Sequence, residues 1–214
     1  MSAGSDLRRR LRLVVLTHPH PAAGPLPDVV AECLRAGCPA VQLRDKECST
    51  ADLYRQAIEL GSLTRAHGAL LFVNDRWDVA AAAGADGAHL GPDDIPVHAV
   101  RPRVPPGFLL GYSTDDPAAG RDAAASGADY LGVGAVYGTA SKPGLEGEAI
   151  GPARVGEIVR ASGLPCVGIG GIAPGKALEV AREGAGIAVL GAVMHSQRPA
   201  DVVRLLLEEI AGAA

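Results

Sequence analysis

Ser126-Gly127-Ala128-Asp129-Tyr130-Leu131-Gly132-Val133-Gly134 joins the end of an Ala-rich helical stretch to the start of a short apolar run. Glycine takes the left-handed conformation that stops a helix at little cost. A short apolar run bounded by such a stop reads as a buried strand. The phrase recurs as Ala83-Gly84-Ala85-Asp86 ahead of Gly87-Ala88-His89-Leu90, with looser echoes at Ala36-Gly37-Cys38-Pro39 and Glu183-Gly184-Ala185. A recurring helix stop followed by a strand is what a repeated βα unit leaves in a sequence.

Outward from these phrases, short apolar runs predict strands over 11–17, 40–43, 70–74, 87–90, 109–113, 130–134, 166–169 and 187–190. Helical periodicity fills the gaps over 27–36, 49–67, 77–83, 117–126, 152–161, 174–183 and 200–210, with a short turn at 97–100. Ser49 with Asp52 resembles a capping box, and Asp116-Pro117 places a cap before a first-turn proline. Pro152 and Pro174 also read as first-turn prolines. Eight evenly spaced βα units predict an α/β fold, a single (β/α)8 TIM barrel over residues 11–214. The competitor is an open doubly wound sheet, which would carry a G-x-G-x-x-G fingerprint after its first strand; none is there. Residues 1–10 read as a loose, flexible leader.

Composition agrees with this fold and excludes several functions. Of the 214 residues 48% are hydrophobic but only 3% aromatic, so the core must be aliphatic, as in parallel sheets covered by helices. Lys plus Arg number 20 against 24 Asp plus Glu, a formal charge of −4, which gives no basic footprint for nucleic acid. No apolar run approaches the roughly 20 residues a membrane helix needs. Cys33, Cys38, Cys48 and Cys166 lack metal-ligand spacing and read as thiols in a reducing cytoplasm. A homo-oligomer is compatible with this composition.

In a parallel barrel the chemistry sits at the C-terminal strand ends. After the second strand Gln42, Arg44 and Lys46 alternate along one side of an extended segment, aiming an amide and two cations at one volume. Asn74-Asp75 follows the third strand and Asp93-Asp94 the fourth; Asp75 with Asp94, or with Asp93, would suit Mg²⁺, which takes one or two carboxylates plus phosphate oxygens. The same aspartates could instead cap the helices that follow. Ser113 and Thr114 end the fifth strand, as substrate-binding hydroxyls or as capping groups. After the sixth strand a long loop presents Thr139, Ser141 and Lys142, a combination of hydroxyls and a point cation that favours phosphate oxygens. Gly170-Gly171 after the seventh strand and Leu190-Gly191 after the eighth fall where barrels bind phosphate through backbone N–H groups. His89 reads as a packing or hydrogen-bonded residue.

Six motifs in order carry a resemblance over about residues 11–195: Gln42-Leu-Arg44-Asp-Lys46, Val73-Asn74-Asp75-Arg76, Gly84 through Asp94, Gly127 through Gly134, Thr139-Ala-Ser141-Lys142, and Ile169-Gly170-Gly171-Ile172. Together they resemble the thiamine-phosphate synthase and thiazole tautomerase family. The resemblance implies an alkyl-group transferase. It would join 4-amino-2-methyl-5-hydroxymethylpyrimidine diphosphate to a thiazole phosphate, or its carboxylated form, releasing diphosphate. Asp75 and Asp94 would hold Mg²⁺. Gln42, Arg44, Lys46, Asn74 and Lys142 would contact the pyrimidine diphosphate, and Ser113 the pyrimidine side. Thr139, Ser141, Gly171, Leu190 and Gly191 would lie at the thiazole phosphate. Arg44, Lys46, Ser113 and Lys142 are the expected catalytic set. Thr17-His18-Pro19-His20 and Gly191 depart from the usual pattern, and Lys142-Pro-Gly-Leu-Glu-Gly147 resembles the tautomerase branch. Tautomerases place a His after the fifth strand, where this chain has Ser113-Thr114-Asp115. A barrel that binds phosphate without catalysis is the third reading.

Overall fold

A computed structural model describes residues 3–138 and 149–213. Its strands are β1 (Leu13–Leu16), β2 (Ala40–Leu43), β3 (Leu70–Asn74), β4 (Gly87–Leu90), β5 (Leu109–Thr114), β6 (Tyr130–Val133), β7 (Cys166–Ile169) and β8 (Gly186–Val189), all parallel and in sequential order around a closed barrel. Closure comes from β1 pairing with β8, Val14 opposite Ala188. The helices are α1 (Ala3–Arg10), α2 (Leu26–Arg35), α3 (Thr50–Ala66), α4 (Trp77–Ala83), α5 (Val97–Val100), α6 (Pro117–Ala125), α7 (Gly151–Ser162), α8 (Ala177–Arg182), α9 (Gly191–Met194) and α10 (Pro199–Ala211). The expected (β/α)8 barrel is therefore the fold. Among the described residues no helix is long and apolar enough to cross a membrane.

Alternation along the strands divides the aliphatic core in two. Inward side chains Val14, Leu16, Ala40, Leu70, Phe72, Tyr130, Val167 and Ala188 fill the barrel. Their outward neighbours, such as Val15, Val41, Leu71, Val73, Leu131 and Ile187, pack beneath the helices. Fully burying one such side chain is worth about 1.5–3 kcal/mol, so the near-absence of aromatics costs the core little.

The caps form as expected in two helices. Ser49 Oγ accepts from Asp52 N at 3.1 Å, and Asp116 Oδ2 from Ala119 N at 2.8 Å. Three differences stand out. Residues 1–10 are expected to be a loose leader, yet Ala3–Arg10 is helical: Leu7 packs on the interior cluster, Leu11 N donates to Leu7 O, and the Arg8 guanidinium donates to Gly163 O at 2.8 Å. The helix expected from 174 begins at Ala177, because Gly175 N is taken by the Glu209 carboxylate at 2.8 Å and Gly175 has φ 90°. The short α9 was not expected at all; at four residues it is below what periodicity can register.

Candidate active site

A cavity of about 470 Å³ opens at the C-terminal end of the barrel. Its floor is made of inward strand residues and its rim of the loops that follow them. Gln42, Arg44, Lys46, Asn74, Asp75, Asp93, Asp94, Ser113, Gly171, Leu190 and Gly191 all line it. Thr139, Ser141 and Lys142 lie outside the described residues. The last residue described before them, Gly138, sits at the cavity edge: a Cβ on Gly171 would come 2.8 Å from Gly138 O. Gly171 has φ 66°, so a side chain there would be strained as well as crowded.

The β2 wall is set from β1. Buried Thr17 accepts from Arg44 N through Oγ1 at 2.9 Å, and Thr17 N donates to Gln42 O at 2.9 Å. These bonds fix the backbone from which Gln42, Arg44 and Lys46 project along one side. Lys46 Nζ reaches 3.4 Å from Asp75 Oδ2, and both side chains keep contact with solvent. At such exposure the pair contributes little to stability. Its value is as a positive charge beside a carboxylate in an open cavity.

The two aspartates are not spent on helix capping. Asp75 has φ 61°, an uncommon conformation for a residue other than glycine, and its N–H donates to His89 O at 2.8 Å. The N-cap of α4 is Arg76, with no side-chain cap bond. Asp94 turns back on its own loop, accepting from Gly91 N at 2.7 Å, while the N-cap of α5 is Pro96. Burial, together with the neighbouring Asp75 charge, pushes the Asp94 carboxyl above its ordinary range; the Gly91 N–H and Lys46 oppose this only partly. Two anionic groups held together at partial burial make a place where added positive charge is favoured.

Ser113 likewise is not a cap. Thr114 and Asp116 shape the start of α6, while Ser113 Oγ faces His89 Nε2 at 2.8 Å. Reading by motif missed Tyr130 as a wall of the cavity, while His89, read as a packing or hydrogen-bonded residue, is hydrogen-bonded and lines the cavity as well. Strand alternation could have found both, since His89, Gly111 and Tyr130 are register partners on inward positions.

Similarity to known proteins converges on one family. The model of the family described as thiamine monophosphate synthase matches residues 13–193. A thiamine-phosphate synthase from Gloeobacter violaceus is 45% identical over 55% of this chain and 34% of its own length. A bifunctional thiamine biosynthesis protein from Symbiobacterium thermophilum is 43% identical over 95% of this chain and 42% of its own. The chain thus matches half or less of the length of these two curated relatives. Among solved structures, a thiamine phosphate pyrophosphorylase from Pyrococcus furiosus superimposes with a TM-score of 0.88 at 36% identity, over 97% of this chain and 98% of that one. On the match of the family model to most of the barrel and the superposition along nearly its whole length, the chain belongs to the thiamine monophosphate synthase family.

Proposed function

We propose that the barrel condenses 4-amino-2-methyl-5-hydroxymethylpyrimidine diphosphate with 4-methyl-5-(2-hydroxyethyl)thiazole phosphate, or its carboxylated form, to thiamine phosphate and diphosphate. The observation that carries this reading is the grouping of Arg44, Lys46, Asp75 and Asp94 in the same cavity as Gly171, Leu190 and Gly191. Such a cavity has a charged part suited to a metal diphosphate and a glycine-lined part suited to a phosphate.

Asp75 and Asp94 fit Mg²⁺, because the burial and mutual repulsion that raise Asp94 are relieved by a divalent cation. No group of three or more His, Cys, Asp or Glu able to hold a metal occurs among the described residues, so the remaining ligands would be substrate oxygens and water. When bound, Mg²⁺ supplies charge neutralisation on the diphosphate oxygens. Arg44 and Lys46, with Lys142, grip the leaving diphosphate. As the methylene C–O bond breaks, negative charge grows on the bridging oxygen, and these cations stabilise it more than they stabilise the ground state. Gln42, Asn74 and Ser113 hold the pyrimidine. The thiazole, fixed by its phosphate at Gly171 and Leu190-Gly191 with Thr139 and Ser141, then directs its ring nitrogen at the methylene carbon. The substitution is dissociative: the C–O electron pair leaves with diphosphate, and the thiazole nitrogen then closes the C–N bond on the stabilised pyrimidinylmethyl cation left behind. Positioning supplies much of the remaining rate, so no nucleophilic side chain is required.

The test is to incubate the protein with Mg²⁺ and both substrates and measure thiamine phosphate. Formation at catalytic rates is expected. Interconversion of thiazole carboxylate tautomers without condensation would establish the tautomerase reading instead, and binding of both ligands with no turnover the non-catalytic one. Within the reading, Lys142→Ala should lower turnover about a hundredfold with an unchanged melting temperature.

A further inference from the structure

The segment that follows β6 crosses the loop between β7 and α8 and ties it at both ends. At the near end Val136 N donates to Ile169 O at 2.8 Å and Tyr137 N to Gly170 O at 3.0 Å. At the far end the Tyr137 hydroxyl donates to Lys176 O at 3.2 Å and to the Glu179 carboxylate at 2.7 Å. Lys176 Nζ lies over the same ring, 4.9 Å from its centroid. One residue thus spans the loop from Gly170 to Lys176. The direction of the hydroxyl bonds is fixed, because a carbonyl oxygen and an ionised carboxylate only accept. Burial, and then the Glu179 carboxylate, push the phenol above its ordinary range, so it keeps the proton it donates.

The loop it crosses is one that sequence leaves loose. Gly170, Gly171 and Gly175 have φ 102°, 66° and 90°, and glycine loses more freedom on being fixed than any other residue. The contact at the turn is close: a Cβ on Gly170 would come 2.8 Å from Ala135 Cα, and one on Gly171 would come 2.9 Å from Tyr137 Cβ and 3.0 Å from Tyr137 O. From the other side the Glu209 carboxylate on α10 accepts from Gly175 N at 2.8 Å and from Leu178 N at 3.0 Å. Gly170, Gly171, Ile172 and Ala173 line the cavity, whereas Tyr137 and Glu179 do not. The tyrosine acts on the wall rather than on a ligand.

We propose that Tyr137 is a positioning residue whose hydroxyl, held by Lys176 O and Glu179, keeps the Gly170-Gly171 turn preformed for the phosphate of the thiazole substrate. Ordering done in advance is not charged to binding. The inference rests on the proposed thiazole-phosphate site and adds what holds that site in shape. The cations and carboxylates that would grip the pyrimidine diphosphate follow β2, β3 and β4, across the barrel mouth from this loop.

Two measurements test it. Tyr137→Phe keeps the backbone bond to Gly170 and the ring beside Lys176 but removes the hydroxyl. It should raise KM for the thiazole phosphate about fivefold, the scale of one hydrogen bond, and leave KM for the pyrimidine diphosphate within about twofold. Glu179→Leu should move the same KM in the same direction, while Glu179→Gln, whose amide oxygen still accepts, should bring it back to within about twofold of wild type. A thiazole phosphate KM unchanged in Tyr137→Phe overturns the proposal, and so does an equal rise in both KM values with a lowered melting temperature, which is general loosening. In the unliganded protein, nitrogen-15 relaxation should give Gly171 and Gly175 order parameters of about 0.85 in wild type and below about 0.6 in Tyr137→Phe. Equal order in the two proteins overturns the proposal as well. If Tyr137→Phe fails to fold, Glu179→Leu decides by the same readouts. If wild type forms no thiamine phosphate, the functional reading fails while relaxation still reports on the tie.

Discussion

Aspartates stand at both ends of this barrel, and they do opposite things. At the N-terminal end Asp86 and Asp129 are fully engaged with backbone. Asp86 N donates to Leu71 O at 3.0 Å while its carboxylate accepts from Leu71 N at 2.8 Å. Asp129 repeats the arrangement on Leu110 at 2.8 and 2.7 Å, and Arg101 binds both its carboxylate and Gly127 O. Each carboxylate thus clamps the start of the preceding strand, which is the structural content of the recurring Gly-Ala-Asp phrase. At the C-terminal end Asp75 and Asp94 crowd each other, and the Asp94 carboxyl is pushed upward by burial and its neighbour. The same residue type builds the fold where its carboxylate ties one strand start to the next, and lines the cavity where two carboxylates crowd each other with a single backbone donor, Gly91 N, on Asp94. A site pays in electrostatic strain for what the scaffold gains in hydrogen bonds.

Substitutions at the two ends should separate these roles, and the largest effect belongs to the open end. Asp75→Asn or Asp94→Asn should lower kcat/KM by about 10²–10³-fold, the scale of losing one electrostatic stabiliser. Asn tolerates the left-handed backbone of Asp75, so the melting temperature should hold. Steady-state kinetics beside thermal melts check this, and full Mg²⁺-dependent activity would remove these residues from the mechanism. Next in size, Asp129→Ala should cost about 1–3 kcal/mol of stability through the lost bonds to Leu110 and Arg101. For a chain of this length that is a Tm shift of about 2–4 °C for each kcal/mol, and KM should not move. An altered KM with unchanged stability would erase the contrast between the ends. Smaller again, Leu7→Ala in the helix that covers the closed end should cost about 1 kcal/mol by denaturant titration and leave turnover intact. Least of all is the effect of thiol reagents. Burial raises the Cys33 thiol, and raises Cys38 to about 12 and Cys166 to about 11, these two near the closed end, so the native protein at pH 8 should react through Cys48 alone. Because a raised pKa leaves little thiolate at neutral pH, reactivity at Cys38 and Cys166 should climb about tenfold per pH unit toward those values. Rapid labelling of Cys166 at pH 8 would mean the closed end opens.

Legibility in the sequence differed between the ends for the same reason. The strand starts 40, 70, 87, 109, 130 and 166 follow from apolar runs bounded by glycine or proline, and the structure places its strands at the same starts. The positions of Gln42, Arg44 and Lys46 on one side followed from strand alternation, and all three line the cavity. Whether Asp75 and Asp94 cap helices or face the cavity was open, because an N-cap preference and a metal-ligand preference select the same residue. The helical character of residues 3–10 was hidden because their polar face dominates the composition; Leu7 packs on the interior cluster and Arg8 bonds Gly163 O, contacts that no local pattern encodes.

The sequence alone determined the barrel, its eight units and the strand ends that carry polar groups, since these depend on local periodicity and on glycine's backbone freedom. Only the tertiary structure decided what those groups do. Asp86 and Asp129 became clamps because the preceding strand brings backbone N–H groups to them. Asp75 and Asp94, separated by 19 positions, became a mutually repelling pair because the parallel register of β3 and β4 sets the ends of the two strands side by side. His89 gained two side-chain partners because closure of the strands sets it between Tyr130 and Ser113. Electrostatic repulsion and hydrogen-bond polarity act through space over a few ångströms, a distance that linear spacing does not encode.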